Sequence, residues 1–113
     1  MVNTSAIVCW MVALVYGVTA LILTKRSKPF PFFTGISIPA EKLTDVRAYN
    51  RDNGKMWAWY AAIHVAAGLL ALISNILGFV LFGLFIIPGL IVMYKIHKRI
   101  FNRYRSPESK EYY

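Results

Sequence analysis

Apolar residues run almost unbroken from Ser5 to Thr24 and again from Met56 to Tyr94, and the polar residues are gathered between and after these runs. About 20 consecutive apolar residues make a helix of roughly 30 Å, long enough to cross a bilayer. The first run predicts one span at about 5–24. The second would make a helix of roughly 58 Å, far longer than the hydrocarbon core. It therefore predicts a hairpin, with its turn within 73–79, where Ser74, Asn75 and Gly78 are turn-forming residues. The two arms fall at about 56–73 and 79–94.

The segment 25–55 has its own pattern. Lys28-Pro29-Phe30-Pro31-Phe32-Phe33 alternates proline with aromatic residues, which bars a regular helix. It reads as an extended piece packed at the headgroup layer, and the alternative is a docking surface for a partner. From Pro39 to Asn53 a short helix is predicted, capped by Thr34 or Ser37 and stopped at Gly54. Leu43, Val46 and Tyr49 form a narrow apolar stripe among charges, the pattern of a helix lying along the membrane surface. After the last span, the helix is expected to continue into a basic tail. There Ile96, Ile100 and Tyr104 would share one face and Ser106-Pro107 would end the helix.

Charge decides the orientation. All 13 Lys/Arg and all 5 Asp/Glu lie in 25–55 or in the tail 95–113. With three spans these two regions share a side, and positive charge stays cytoplasmic. The expected fold class is therefore an all-α integral membrane protein. It has three transmembrane helices with the amino terminus outside and the carboxyl terminus inside, plus the cytoplasmic interfacial amphipathic helix. The chain forms one membrane domain, 1–113, in the plasma membrane. A cleaved signal peptide is the weaker account of the first run, because its basic cluster follows the apolar core instead of preceding it. The net charge of +8 points to anionic headgroups of the cytoplasmic leaflet, contacted by Lys95, Lys98, Arg99, Arg103 and Arg105. Nucleic acid is not expected as a partner. A lone Cys9 excludes an internal disulfide and a cysteine metal cluster.

Within the spans, Ala6, Cys9, Ala13, Gly17 and Ala20 share one face of the first helix. Ala61, His64, Gly68, Ala71 and Asn75 share one face of the second. Small residues let membrane helices approach closely. Packing among the three helices is the simpler use of these faces, and a subunit interface is the other. His64 and Asn75 are the candidate intramembrane polar site. An ionisable residue in a span is a functional hypothesis by default. No Asp, Glu or second His accompanies His64, so a structural hydrogen bond is preferred to a proton or ligand role. No catalytic residue, metal site or cofactor is expected.

The run Asp45-Val46-Arg47-Ala48-Tyr49-Asn50-Arg51-Asp52-Asn53-Gly54-Lys55-Met56-Trp57 carries the pattern D-V-x-x-Y-N-x-x-x-G-x-M-W before a span. It resembles a group of small three-helix membrane proteins of Gram-positive bacteria, and more distantly the multi-span proteins that give immunity to peptide toxins. That resemblance implies a bacterial plasma membrane and no catalytic residue. Tyr49 and Asn50 are expected to brace the turn at Gly54. The expected function is that of a small non-catalytic membrane protein that binds a partner, serves as an accessory or confers immunity, with a protein partner or a second copy of itself as the expected associate. The alternative is a subunit of a small homo-oligomeric transporter or channel; a lipid-modifying enzyme ranks third.

Overall fold

A computed structural model describes residues 2–30 and 39–106. Among them are three α-helices: α1, Thr4–Lys25; α2, Val46–Ala71; and α3, Asn75–Tyr104. The only other helical piece among the described residues is a 3-10 turn, Ala40–Lys42. Pro31 to Phe33, the proposed caps Thr34 and Ser37, and Pro107 lie outside the described residues.

The three helices alternate in direction. Asn3, just before α1, donates its side-chain amide to the Ala71 carbonyl at the end of α2 (2.6 Å). The Asn75 side chain, at the start of α3, accepts from the Ser5 amide (2.9 Å). At the opposite end, the backbone and side chains of Ala20 and Leu23 of α1 lie against Gly54 of α2. There too His97 of α3 bonds Asn53 of α2. All the charged side chains of the described residues therefore gather at one end of the bundle, and the α2–α3 turn lies at the other.

α1 and α3 are long and apolar enough to cross a membrane. α2 is not, by the same measure: its first ten residues carry Arg47, Arg51, Asp52 and Lys55, and only 56–71 are free of charge. Large apolar side chains face outward along the bundle. Leu14 and Ile87 are each 68% exposed and Leu21 is 65% exposed, a surface that water would not tolerate as a continuous patch.

The separate interfacial helix over Pro39–Asn53 is not present. Asp45 lies outside the helix and accepts a hydrogen bond from the Ala48 amide (3.0 Å), so α2 starts at Val46. The helix then runs through Gly54 without a break. Gly54 serves packing and does not stop the helix. A Cβ there would stand 3.3 Å from the Ala20 carbonyl oxygen and 3.4 Å from Leu23 Cβ. The intimate contact with α1 offsets the ~1 kcal/mol that glycine costs inside a helix. The stripe does not face lipid either. Leu43 and Tyr49 are buried in the protein and Val46 is half-buried. Residues 42–44 form a short antiparallel bridge with the end of α3. The Thr44 amide donates to the Tyr104 carbonyl (2.6 Å), and the Ser106 amide to the Lys42 carbonyl (2.8 Å).

The hairpin turn is tighter than expected and lies at the edge of the expected window, at Leu72–Ser74. Ser74 caps α3 by accepting from the Leu77 amide (3.3 Å). Asn75 to Gly78 are already helical. Gly78 is needed for close approach: a Cβ there would lie 2.5 Å from Ala71 Cβ and 2.6 Å from Ser5 Cβ. α3 continues through Pro88 and into the basic tail as far as Tyr104.

The small-residue faces pack within the molecule. Ala6, Cys9, Ala13 and Ala20 of α1 are buried, as are His64, Gly68 and Ala71 of α2. Gly17 is half-buried, with nothing near its Cβ position.

Candidate functional site

Besides Ser5 at the turn end, two sets of polar side chains lie inside the bundle among the described residues. The larger is at the charged end, where α2 starts with Tyr49, Asn50 and Asn53 on one face, spaced one and three residues apart. A 3.6-residue period turns all three inward, and each is buried to within 1%. Asn50 spans the gap to the chain leaving α1. Its side-chain oxygen accepts from the Phe30 amide (3.0 Å). Its amide nitrogen donates to the carbonyls of Arg26 (3.2 Å) and Lys28 (2.8 Å). The Tyr49 hydroxyl donates to the Phe30 carbonyl. Together they fix residues 26–30 against α2, and Phe30 sits edge-on to Trp57 at 6.0 Å. They brace this connection and not a turn at Gly54.

Asn53 links α2 to α3. Its amide nitrogen donates to the Tyr49 carbonyl (3.0 Å). That orients its oxygen toward His97 Nδ1, 2.8 Å away. The oxygen can only accept, so Nδ1 carries the proton. His97 is fully buried and packs edge-on to Phe30 and Tyr49. It lies beyond the uncharged part of α3, between Lys95 and Arg99. Burial disfavours its charged form and lowers its pKa from 6.5 to about 4. Nearby, Asp52 accepts from the Tyr104 hydroxyl (2.7 Å) and faces Arg103 at 3.5 Å.

The second set is His64 alone. It is fully buried in mid-α2, edge-on to Tyr16 (5.1 Å) and Phe85 (6.2 Å). Its Nδ1 lies 2.8 Å from the carbonyl of Tyr60, one turn earlier in the same helix. Nδ1 is therefore the protonated nitrogen, and Nε2 presents a bare lone pair with no hydrogen-bond partner. The expected interhelical hydrogen bond is not formed. Asn75 is not brought to His64. It lies at the far end of α2–α3 and bonds the α1 backbone, so the two do not form one site. Among the described residues, no group of His, Cys, Asp or Glu is placed to hold a metal ion.

Of the expected lipid-contact residues, Lys95, Arg99 and Arg103 are exposed. Lys98 is half-buried, with its ammonium 5.7 Å from the centre of the Tyr94 ring. Arg105 is half-buried and lies in the bridge to Leu43. The inner face of this helix is Met93, His97, Ile100 and Phe101, while Ile96 and Tyr104 are only half-buried. Sequence reasoning named Asn50 as a brace but for another turn, and it missed Asn53 and His97. A signal was present: His97 continues the Met93–Ile100–Phe101 spacing, but its basic neighbours disguise it as surface. No protein-family model, curated protein or solved structure matches this chain.

Proposed function

We propose that this chain is a small, non-catalytic integral membrane protein of three spans that acts by binding a protein partner, in an accessory or immunity-type role. In this reading α1 and α3 cross the bilayer and α2, antiparallel to both, crosses between them. Its apolar part, 56–71, measures only about 24 Å, so the bilayer thins or the neighbouring charged turn lies shallow in the headgroups. The charged end faces the cytoplasm and the Leu72–Ser74 turn faces outside.

The observation that carries the reading is the use made of the buried polar side chains. Tyr49, Asn50 and Asn53 all grip backbone groups, which leaves them no freedom to handle a substrate. What the molecule offers outward is lateral apolar surface, with Leu14, Trp59 and Ile87 well exposed. Photo-crosslinkers placed singly at these three positions in native membranes test it. A partner-binding protein gives the same protein adduct from one face of the bundle; lipid adducts alone at all three positions would refute it. Orientation is tested by thiol labelling in a Cys9→Ser background. Ile73→Cys should react from outside and Arg51→Cys only after permeabilisation, and the reverse pattern would invert the topology. A transporter subunit is the second reading, favoured by the buried, unpartnered Nε2 of His64.

A further inference from the structure

We propose that the cleft where α1 ends against the start of α2 binds the phosphate of an anionic phospholipid. Lys25, Arg26 and Ser27 line it from the end of α1, with Val46 and Arg47 from α2, around about 290 Å3. Lys25, Arg26 and Ser27 also wall a neighbouring hollow of about 610 Å3, together with Ile22 and Lys28. One set of cations thus faces a polar pocket on one side and an apolar-floored hollow on the other.

Three further features make this a built site. First, the cations are not ion-paired. Among the described residues, Lys25, Arg26, Lys28 and Arg47 form no ion pair, whereas Arg103 is paired with Asp52. Second, the segment that bears them is held. Arg26 donates from Nε to the Lys28 carbonyl (2.8 Å) and from a terminal nitrogen to the Pro29 carbonyl (3.4 Å). Asn50 grips the Arg26 and Lys28 carbonyls from the other side, so the guanidinium is pre-positioned before any anion arrives. Third, the nearest acid in sequence is turned away. The Asp45 carboxylate accepts from the Ala48 amide at the start of α2 and does not line the cleft.

The position favours a lipid phosphate over a free one. The outward face of α1 is apolar through Leu21 and Ile22 and becomes cationic at Lys25. A phosphodiester with acyl chains uses both the charges and the Ile22 floor, and a soluble anion uses only the charges. Guanidinium and ammonium groups together suit a phosphate with a net charge. A zwitterionic headgroup brings its own ammonium and would be repelled. The site is distinct from the basic tail of α3.

The inference rests on the membrane reading, which alkaline carbonate extraction tests separately. Release of the chain as a soluble protein would end both. The site itself is tested by native mass spectrometry of the full chain in non-ionic detergent, titrated with phosphatidylglycerol. One molecule per chain should be retained. The exposed double variant Lys25→Gln/Arg47→Gln should bind it about 30-fold more weakly, at about fivefold per charge. Lys25→Gln alone should give about fivefold. The tail variant Lys95→Gln/Arg99→Gln should keep the bound lipid within about threefold of the unaltered chain. Equal retention of phosphatidylcholine would overturn the proposal. So would competition by inorganic phosphate at concentrations equal to those of the lipid, or unchanged binding by the double variant.

Discussion

Asn50 concentrates three tertiary hydrogen bonds in one side chain. Replacing it with leucine keeps the branched shape and raises helix propensity but removes one acceptor and two donors. The buried Phe30 amide loses the oxygen that it bonds at 3.0 Å, and leaving a buried donor unmet costs about 1–3 kcal/mol. The Arg26 and Lys28 residues are exposed, so their carbonyls take water instead, at a net loss of about 0.5–1 kcal/mol each. Asn50→Leu is therefore expected to destabilise the fold by roughly 2–5 kcal/mol, less a few tenths for the better helix former. Asn50→Asp separates the terms. It keeps the acceptor for Phe30 but sets a carboxylate oxygen against two carbonyl oxygens, and so should also be destabilised. The assay is reversible unfolding in mixed micelles followed by tryptophan fluorescence, since Trp57 packs against Phe30. Limited trypsin digestion supplies a local readout, because the released connection carries Lys25, Arg26 and Lys28. If Asn50→Leu unfolds within about 0.5 kcal/mol of the unaltered protein and is cut no faster, the clamp is not what holds the connection to α2.

Gly78→Ala should cost about 1–3 kcal/mol by forcing α1 and α3 apart, whereas Gly17→Ala, with nothing within 4 Å of the new methyl, should be neutral or slightly stabilising; equal losses in unfolding assays would contradict the packing. His97 has a folded pKa lowered from 6.5 to about 4, so the unfolded chain takes up its proton first as pH falls. Stability should then be full above 6.5 and decline by up to roughly 3 kcal/mol toward pH 4. Melting curves of His97→Gln should lack that part of the acid dependence, and an unchanged profile would refute the assignment. His64→Leu should leave stability unchanged or raise it by up to ~1 kcal/mol, because the Tyr60 carbonyl keeps its helical partner and an unmatched buried Nε2 is removed; a loss of more than ~1 kcal/mol would reveal a partner for Nε2.

The parts of this fold that were legible in the sequence are those written in long-period hydropathy. The run 5–24 appears as α1 almost residue for residue, because nothing interrupts it. The 56–94 run folds back near Ser74, because neither a straight helix nor a β-branched stretch accommodates a serine–asparagine pair as well as a cap does. The parts that were not legible depend on what glycine and asparagine touch. Gly54 and Gly78 read as stops, and in isolation they are helix breakers. Both lie inside helices because another helix occupies the space of their missing Cβ. Asn50 read as a brace for a turn at Gly54, and Asn53 only as the end of a short helix. Only the third dimension shows that the backbone of 26–30 and the ring of His97 need exactly matched amide groups there. The stripe of Leu43, Val46 and Tyr49 was correctly seen as apolar, but sequence could not say whether membrane or protein would cover it.

The two histidines show how this division of labour bears on function. His97 is buried among side chains that complement it: a fixed amide oxygen meets its proton, and aromatic edges surround the ring. Its neutrality follows from the fold, and it supports the junction of α2 with α3 that carries the basic surface. His64 is as deeply buried, yet its proton only reinforces a carbonyl already bonded within its own helix. A residue that packs but satisfies half its polar atoms is a net cost to the bundle, since leucine would fill the same space without it. At the charged end the histidine is held by a bond between helices. The middle of α2 gives His64 no such bond, so its replacement separates a packing role from a functional one.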